Sequence, residues 1–375
     1  MLRCLRRSYS SAASVELIAS VRDPKFRIPG DATIFSGIQP TGIFHLGNYL
    51  GATRVWSDLT ERISEEKLNS EPMFMVADLH SITVPQIASD LRTMRKQALA
   101  SIIACGVDPA KARLFYQSTV PEHSELNWVI SCSTPVGMLN RMTQWKSKAN
   151  LSSGASLADD ASLGGVKLGL LAYPTLMAAD VLLYRSTHVP VGADQAQHLE
   201  LTRELAIKTN KLLRTDYFPV PKTLLAPTNK ILSLKNPLKK MSKSDPEPLS
   251  KIFITDSDKD IKTKINKAIT DSIDGKITYN PIERPGIANL LTIISAIERR
   301  PVSQILNDVE NFEKRELKAL VVERLTTEIK GPRERFSELM KNDALLNRIS
   351  KEGTEKAREV ASKTIKDVYE LMGLN

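Results

Sequence analysis

The 375-residue chain carries 52 Lys and Arg against 43 Asp and Glu, a formal charge of +9, with an ordinary apolar share. That length can bury two cores; the positive balance suits a polyanionic partner, while 5% aromatic residues argue against a base-stacking platform. Cys4, Cys105 and Cys132 lie far apart with no CxxC or Cys/His pairing, which argues against disulfides or structural zinc, and no apolar run reaches bilayer length.

MLRCLRRSYSSAAS carries Arg3, Arg6, Arg7 and several serines ahead of the first acid, Glu16. This is the composition of a mitochondrial transit peptide, expected over residues 1–28 and directing the chain to the matrix; a ragged N-terminus is the alternative. DATIFSGIQP starts a short apolar strand at Ile34 and Phe35 and turns at Gly37 and Pro40. After Gly42 the spacing of Leu46, Leu50, Val55 and Leu59 predicts a helix that buries those four. PMFMVADLH (72–80) reads as a second buried strand ending in Asp78 and His80, at the carboxyl end where open parallel sheets bind ligands. DLRTMRKQALASIIACGVDP is expected to be a crossover helix stopped by Gly106 and Pro109, and ARLFYQS the next strand.

A Ser/Ala/Gly/Asp stretch over about 149–166 reads as a flexible insertion. LGLLAYPTLMAADVLLY is apolar with one embedded Asp, and THVPVGADQAQHLELTRELA predicts strand, Gly192 turn and helix. Pro and Lys gather around 226–250; beyond them Leu317, Val321, Leu325 and Ile329 recur at i, i+4. The expected fold class is α/β: a Rossmann-like doubly wound parallel sheet over 29–235, a loop and linker over 236–250, and a C-terminal all-helical domain over 251–375.

Three stretches carry candidate chemistry. In GIQPTGIFHLGNYLG (37–51), His45 and Asn48 can offer hydrogen bonds to phosphate where a helix opens, and Gly47 lets a planar group approach the backbone. A structural turn and helix cap with an exposed His45 explains the same residues. KMSKS (240–244) reads either as a solvated loop or as mobile cations brought to a phosphate. Asp180, one turn after Met177 in an apolar helix, needs a donor, which the backbone, Arg185 or a ligand can supply. His188 and His198 with Asp194 lack a third ligand at zinc spacing, so no metal site is expected.

HLGN followed some two hundred residues later by KMSKS resembles the paired signature of class I aminoacyl-tRNA synthetases, HLGN being a variant of HIGH. From about Thr33 onward, FSGIQPTG, VADLHSIT, RMTQWKSK, YPTLMAADVLLY, VPVGADQAQH, KKMSKSDP and PGIANLL together resemble the tryptophanyl-tRNA synthetases of bacterial and organellar type. The resemblance implies ATP-dependent activation of L-tryptophan to its adenylate, transfer to the 3′ end of tRNA(Trp), Mg2+ arriving with ATP, a homodimer, and a helical domain that reads the anticodon.

It also implies roles. His45 and Asn48 would contact phosphates, with Gly47 under the adenine. Lys240 and Lys243 would meet the pyrophosphate, beside Ser242, while Met241 packs the loop or the adenine edge. Asp194, with Gly192, would hold the ribose hydroxyls, Gln39 and Gln195 would fix amino acid or nucleotide, and Lys146 and Lys148 would steer ATP at the mouth. Asp180 would accept from the indole N–H; Phe35, Met177, Val189 and Val191 would wall the pocket, lined also by Gly37 and Tyr173, with polar contacts from His80 and Gln144. The stretch after Lys148 departs from the shorter bacterial pattern. Tyrosine-specific relatives usually carry Gln where Met177 stands, which favours tryptophan. A nucleotidylyltransferase would not explain the LMAAD helix together with a helical second domain, and a purely RNA-binding protein would not need His45, Asn48, Lys240 and Lys243.

Overall fold

Short runs of Val, Ile, Phe and Met build parallel strands because both sheet faces are covered by helices. The computed structural model describes residues 16–17, 25–149, 151, 166–225 and 230–374. Most of the expected presequence (1–28) and of the insertion (149–166) lies outside the described residues.

β1 (Glu16–Leu17) pairs with β6 (Lys222–Leu225), which pairs with β5 (His188–Val191); β2 (Phe35–Ile38) pairs with β3 (Met73–Val76) and β3 with β4 (Arg113–Tyr116), all in parallel. A parallel bridge from Ile34 to His188 joins the two halves, and the Thr187 and His188 amides donate to Thr33 O at 2.9 and 3.1 Å. The resulting order β4-β3-β2-β5-β6-β1 reverses direction between β2 and β5. That reversal is where doubly wound sheets open a ligand crevice.

The β3 strand stops at Val76, earlier than expected, and Asp78 opens the short helix α3 (Asp78–Ser81) once α1 (Leu46–Asn48) and α2 (Arg54–Glu65) have passed. The Asp78 carboxylate accepts from the Ser118 amide (2.8 Å) and hydroxyl (2.6 Å), which fastens the turn and aims His80 at the crevice. A π turn, Tyr49–Thr53, links α1 to α2, and Leu46, Leu50, Val55 and Leu59 are all buried. The crossover helix α4 (Ala88–Ala104) ends ahead of Gly106, whose φ of +105° suits glycine.

α5 (Glu122–Ser133), α6 (Val136–Asn140), α7 (Gln144–Lys148), α8 (Leu168–Leu183) and α9 (Ala196–Leu213) complete this layer. The helical region follows as α10 (Asp258–Asn266), α11 (Pro285–Glu298), α12 (Val302–Val309), α13 (Lys314–Met340) and α14 (Asp343–Met372). Leu317, Val321, Leu325 and Ile329 of α13 are fully buried. α14 returns to the sheet and covers the β4 edge: a Cβ at Gly353 would come within 2.0 Å of Leu114 O, so only glycine allows this approach. Ala357, Ala361, Ile365 and Val368 join one core with Phe115, Leu126 and Ile130. The edge strand is thereby shielded from pairing with another chain.

Candidate active site

A cleft of about 1520 Å3 opens at the carboxyl ends of β2 and β5. Its floor at one end is the HLGN turn. His45 caps the helix: its Nδ1 accepts the Gly47 N–H at 3.0 Å, and its own N–H donates to Asn48 Oδ1 at 3.3 Å. A Cβ at Gly47 would stand 2.8 Å from the His45 ring, so glycine is required for the cap itself. At 7% exposure His45 is not the exposed residue of the structural reading. Burial, reinforced by Lys240, Lys243 and Lys251, pushes its pKa down to about 4. The ring is neutral at pH 7, and because Nδ1 accepts, Nε2–H is its remaining donor.

This shift has a testable sign. The unfolded chain takes up a proton on His45 near pH 6.5 and the folded chain only near 4, so stability present above 6.5 is lost as pH falls through that window. The loss amounts to about 3 kcal/mol at 1.36 kcal/mol per unit. Denaturant unfolding between pH 7 and 4 should fall less steeply in His45→Asn than in the wild type; identical slopes would contradict the buried neutral imidazole.

The KMSKS loop is tied down at its stem. Met241 is 1% exposed and packs with Ile231, Leu234 and Ile287. Asn289 of α11, within PGIANLL, accepts the Leu232 N–H (2.8 Å) and donates to Leu232 O (3.0 Å). From this anchored stem Lys240 reaches Asp194 Oδ1 at 3.4 Å, with its side chain half exposed. Burial disfavours the Asp194 charge, yet Lys240 and Gln195 more than offset it and the pKa falls below the usual range. Lys243 donates to Thr41 O and lies across Gly42, where φ is +88° and a Cβ would stand 2.1 Å from Lys243 Nζ. Gly42→Ala should therefore cost about 1–2 kcal/mol for the left-handed backbone and displace Lys243; denaturant unfolding measures the first effect, and an unchanged midpoint would contradict it.

The other end of the cleft is apolar around one carboxylate. Phe35, Met177, Val189 and Val191 wall it, with Gly37 beside them. Asp180 is 2% exposed. Its Oδ1 accepts from Gln117 Nε2 (2.7 Å) and its Oδ2 from His80 Nε2 (2.8 Å). His123 Nδ1 stands 2.7 Å from Oδ1, in contact but without the alignment of a hydrogen bond. Arg185, which the sequence offered as partner, instead donates to Tyr217 O at 3.2 Å. Burial would raise the Asp180 pKa, but His123 and His80 outweigh it and bring it to about 2. The carboxylate is ionised at neutral pH.

Tyr173 OH pairs with His198 Nε2 (2.9 Å) and lies 3.4 Å from Gln144 Oε1; Gln144 also donates to Asp194 O at 2.5 Å. Burial pushes His198 down to about 4. Lys148 Nζ sits 4.8 Å above the Tyr173 ring. Gln39, Gly192, Gln195 and Ser242 complete the lining. Lys146 is 7% exposed against the Trp145 ring and is not among the residues that line the cleft, whereas Lys148 is. Among the described residues no three His, Cys, Asp or Glu side chains are grouped to hold a metal; His188 Nδ1 pairs with Thr187 Oγ1 at 2.9 Å.

Gln117, His123, Tyr184, Gly42 and Asn289 escaped the sequence reading. Gln117 had a signal, as a polar residue just past a strand's carboxyl end, the rule that picked His80. Tyr184 had one too, one turn after Asp180 at the end of YPTLMAADVLLY; His123 had none.

A doubly wound sheet whose switch point holds a capping histidine, a lysine-bearing loop and a buried carboxylate defines a nucleotide-using enzyme with an apolar side-chain pocket. The family model for class I tRNA synthetases (W and Y) matches residues 29–328, and the chain belongs to that family. It is 50% identical over 366 residues to the mitochondrial tryptophan–tRNA ligase of Saccharomyces cerevisiae, covering 95% of this chain and 96% of that one. Among solved structures, tryptophanyl-tRNA synthetase from Mycoplasma pneumoniae superposes with a TM-score of 0.78 at 33% identity, over 92% of this chain and 98% of that one. The Campylobacter jejuni tryptophanyl-tRNA synthetase complexed with ADP and tryptophan gives 0.70 at 29%, over 91% and 99%.

Proposed function

We propose that the chain is a mitochondrial tryptophan–tRNA ligase acting in the matrix, activating L-tryptophan with MgATP and passing it to the 3′ end of tRNA(Trp). The observation that carries this reading is the ionised Asp180 buried in the apolar end of a cleft whose other end is lined by His45, Asn48, Lys240 and Lys243.

The tryptophan carboxylate attacks the α-phosphorus, an O–P bond forms, the α–β bridge breaks, and pyrophosphate leaves with the electron pair. The nucleophile is already anionic, so the protein's part is positioning and charge stabilisation. Neutral His45 offers Nε2–H to phosphate oxygens. Lys240 and Lys243 meet the charge that grows on the leaving pyrophosphate, each such contact contributing roughly a few kcal/mol. For Lys240 this means exchanging Asp194, which is then available to the ribose hydroxyls. Mg2+ enters with ATP.

Exposed Trp128, Val136 and Leu168 lie on α5, α6 and α8, the first two helices each packing on α8, and support a homodimer formed through these helices. The charge of +9, which belongs to the whole chain, supports tRNA as a partner, and the helical region from 251 onward is the part assigned to the anticodon. Charging of mitochondrial tRNA with labelled amino acids tests the reading: tryptophan should be esterified and tyrosine should not, and tyrosine charging would overturn it.

A further inference from the structure

Behind Asp180 lies a buried chain of groups that the reaction itself does not use. His123 is fully buried, Tyr184 is 1% exposed, and their contact, Tyr184 OH to His123 Nε2, is 2.8 Å. Tyr184 is held protonated by burial and by the charges of Asp180 and Glu122, so its O–H is available to donate. The direction of the chain follows from repulsion. An imidazole lone pair 2.7 Å from a carboxylate oxygen would be unfavourable, so Nδ1 carries the proton and faces Asp180 Oδ1. Nε2 is then the acceptor of the Tyr184 hydroxyl. The His123 ring is held between Phe115 (6.2 Å) and Tyr184 (5.4 Å), which leaves it little room to turn. Glu122, next in sequence, is fixed by Ser362 and Arg358 of α14.

Resting on the tryptophan reading, we infer that Tyr184 and His123 are positioning residues that lock the Asp180 carboxylate so that one acceptor direction faces the cleft, making the site select an indole N–H over an isosteric ring without one. An ionised carboxylate offers about four lone-pair directions. Gln117 fills one direction on Oδ1 and His80 one on Oδ2, while His123 Nδ1, 2.7 Å from Oδ1 without an aligned bond, crowds the protein side of that oxygen; Asp180 itself lines the cleft beside Met177. The remaining direction belongs to the substrate. Without the His123 contact Gln117 and His80 still hold one hydrogen bond on each oxygen, but the carboxylate plane can tilt about its terminal torsion, and the open direction is less sharply fixed.

The test compares L-tryptophan with the amino acid in which sulfur replaces the indole N–H, in amino-acid-dependent pyrophosphate exchange. The wild type should prefer tryptophan by at least about 10²-fold, since a site built around a buried hydrogen bond rejects the analogue that lacks it. Tyr184→Phe keeps the ring and its packing. It should cut that preference about tenfold through a higher KM for tryptophan, with kcat and the KM for ATP unchanged. His123→Leu should cut it further, and His123→Asn, whose amide can replace the Nδ1 donor, should restore part of it. A merely structural role would lower both substrates together and leave their ratio unchanged, which would overturn the inference. A wild type that discriminates, with variants whose ratio stays the same, overturns the relay alone; a wild type that does not exchange with tryptophan overturns the functional reading beneath it.

Discussion

Asp180→Ala should lower kcat/KM for tryptophan in pyrophosphate exchange by on the order of 10²–10³-fold, that is about 3–4 kcal/mol, while the KM for ATP stays within about twofold. The charge-assisted bond to the substrate is lost, and His80 and Gln117, which donate to the carboxylate at 2.8 and 2.7 Å, are left facing an apolar pocket. The nucleotide end is built from different residues, so ATP should be indifferent. Asp180→Asn separates charge from shape: it keeps the volume but brings an amide against donors that need an acceptor, and it should recover less than half of the lost free energy. If Asp180→Ala leaves the tryptophan rate intact, the pocket assignment is wrong.

Lys243→Ala should slow adenylate formation by on the order of 10²–10³-fold with little change in tryptophan binding. Lys243 donates to Thr41 O across Gly42, at the edge of the HLGN turn. Its contribution is to the pyrophosphate as charge develops, so single-turnover chemistry should suffer while equilibrium tryptophan affinity does not. A loss confined to tryptophan KM would place Lys243 in ground-state binding instead.

The parts of the fold that depend on local pattern were legible. The spacing of Leu46, Leu50, Val55 and Leu59 announced the buried face running from α1 to α2, though not the π turn between them, and the apolar run of β3 ending in polar residues pointed to the crevice. Asp180 could be singled out because an acid in an apolar helix is costly unless partnered. Its partners could not be named: Gln117 and His80 are 63 and 100 residues away in sequence, brought in by β4 and β3, and no periodicity encodes such a meeting. Lys146 and Lys148 look equivalent in the sequence, yet on the short helix α7 a two-residue offset turns them to different sides. The KMSKS loop looked free because it is rich in Lys and Ser; the buried Met241 and the Asn289 clamp from a helix some fifty residues on explain why its stem is fixed. The return of α14 to the β4 edge is likewise a tertiary event, marked only by Gly353 in an otherwise helix-favouring segment.

The most direct measurement is ATP–pyrophosphate exchange by the purified protein with each of the twenty amino acids in turn. Exchange with tryptophan alone is the predicted result and would establish activation and specificity together. Exchange with tyrosine, or silence with every amino acid in a folded sample, would contradict it.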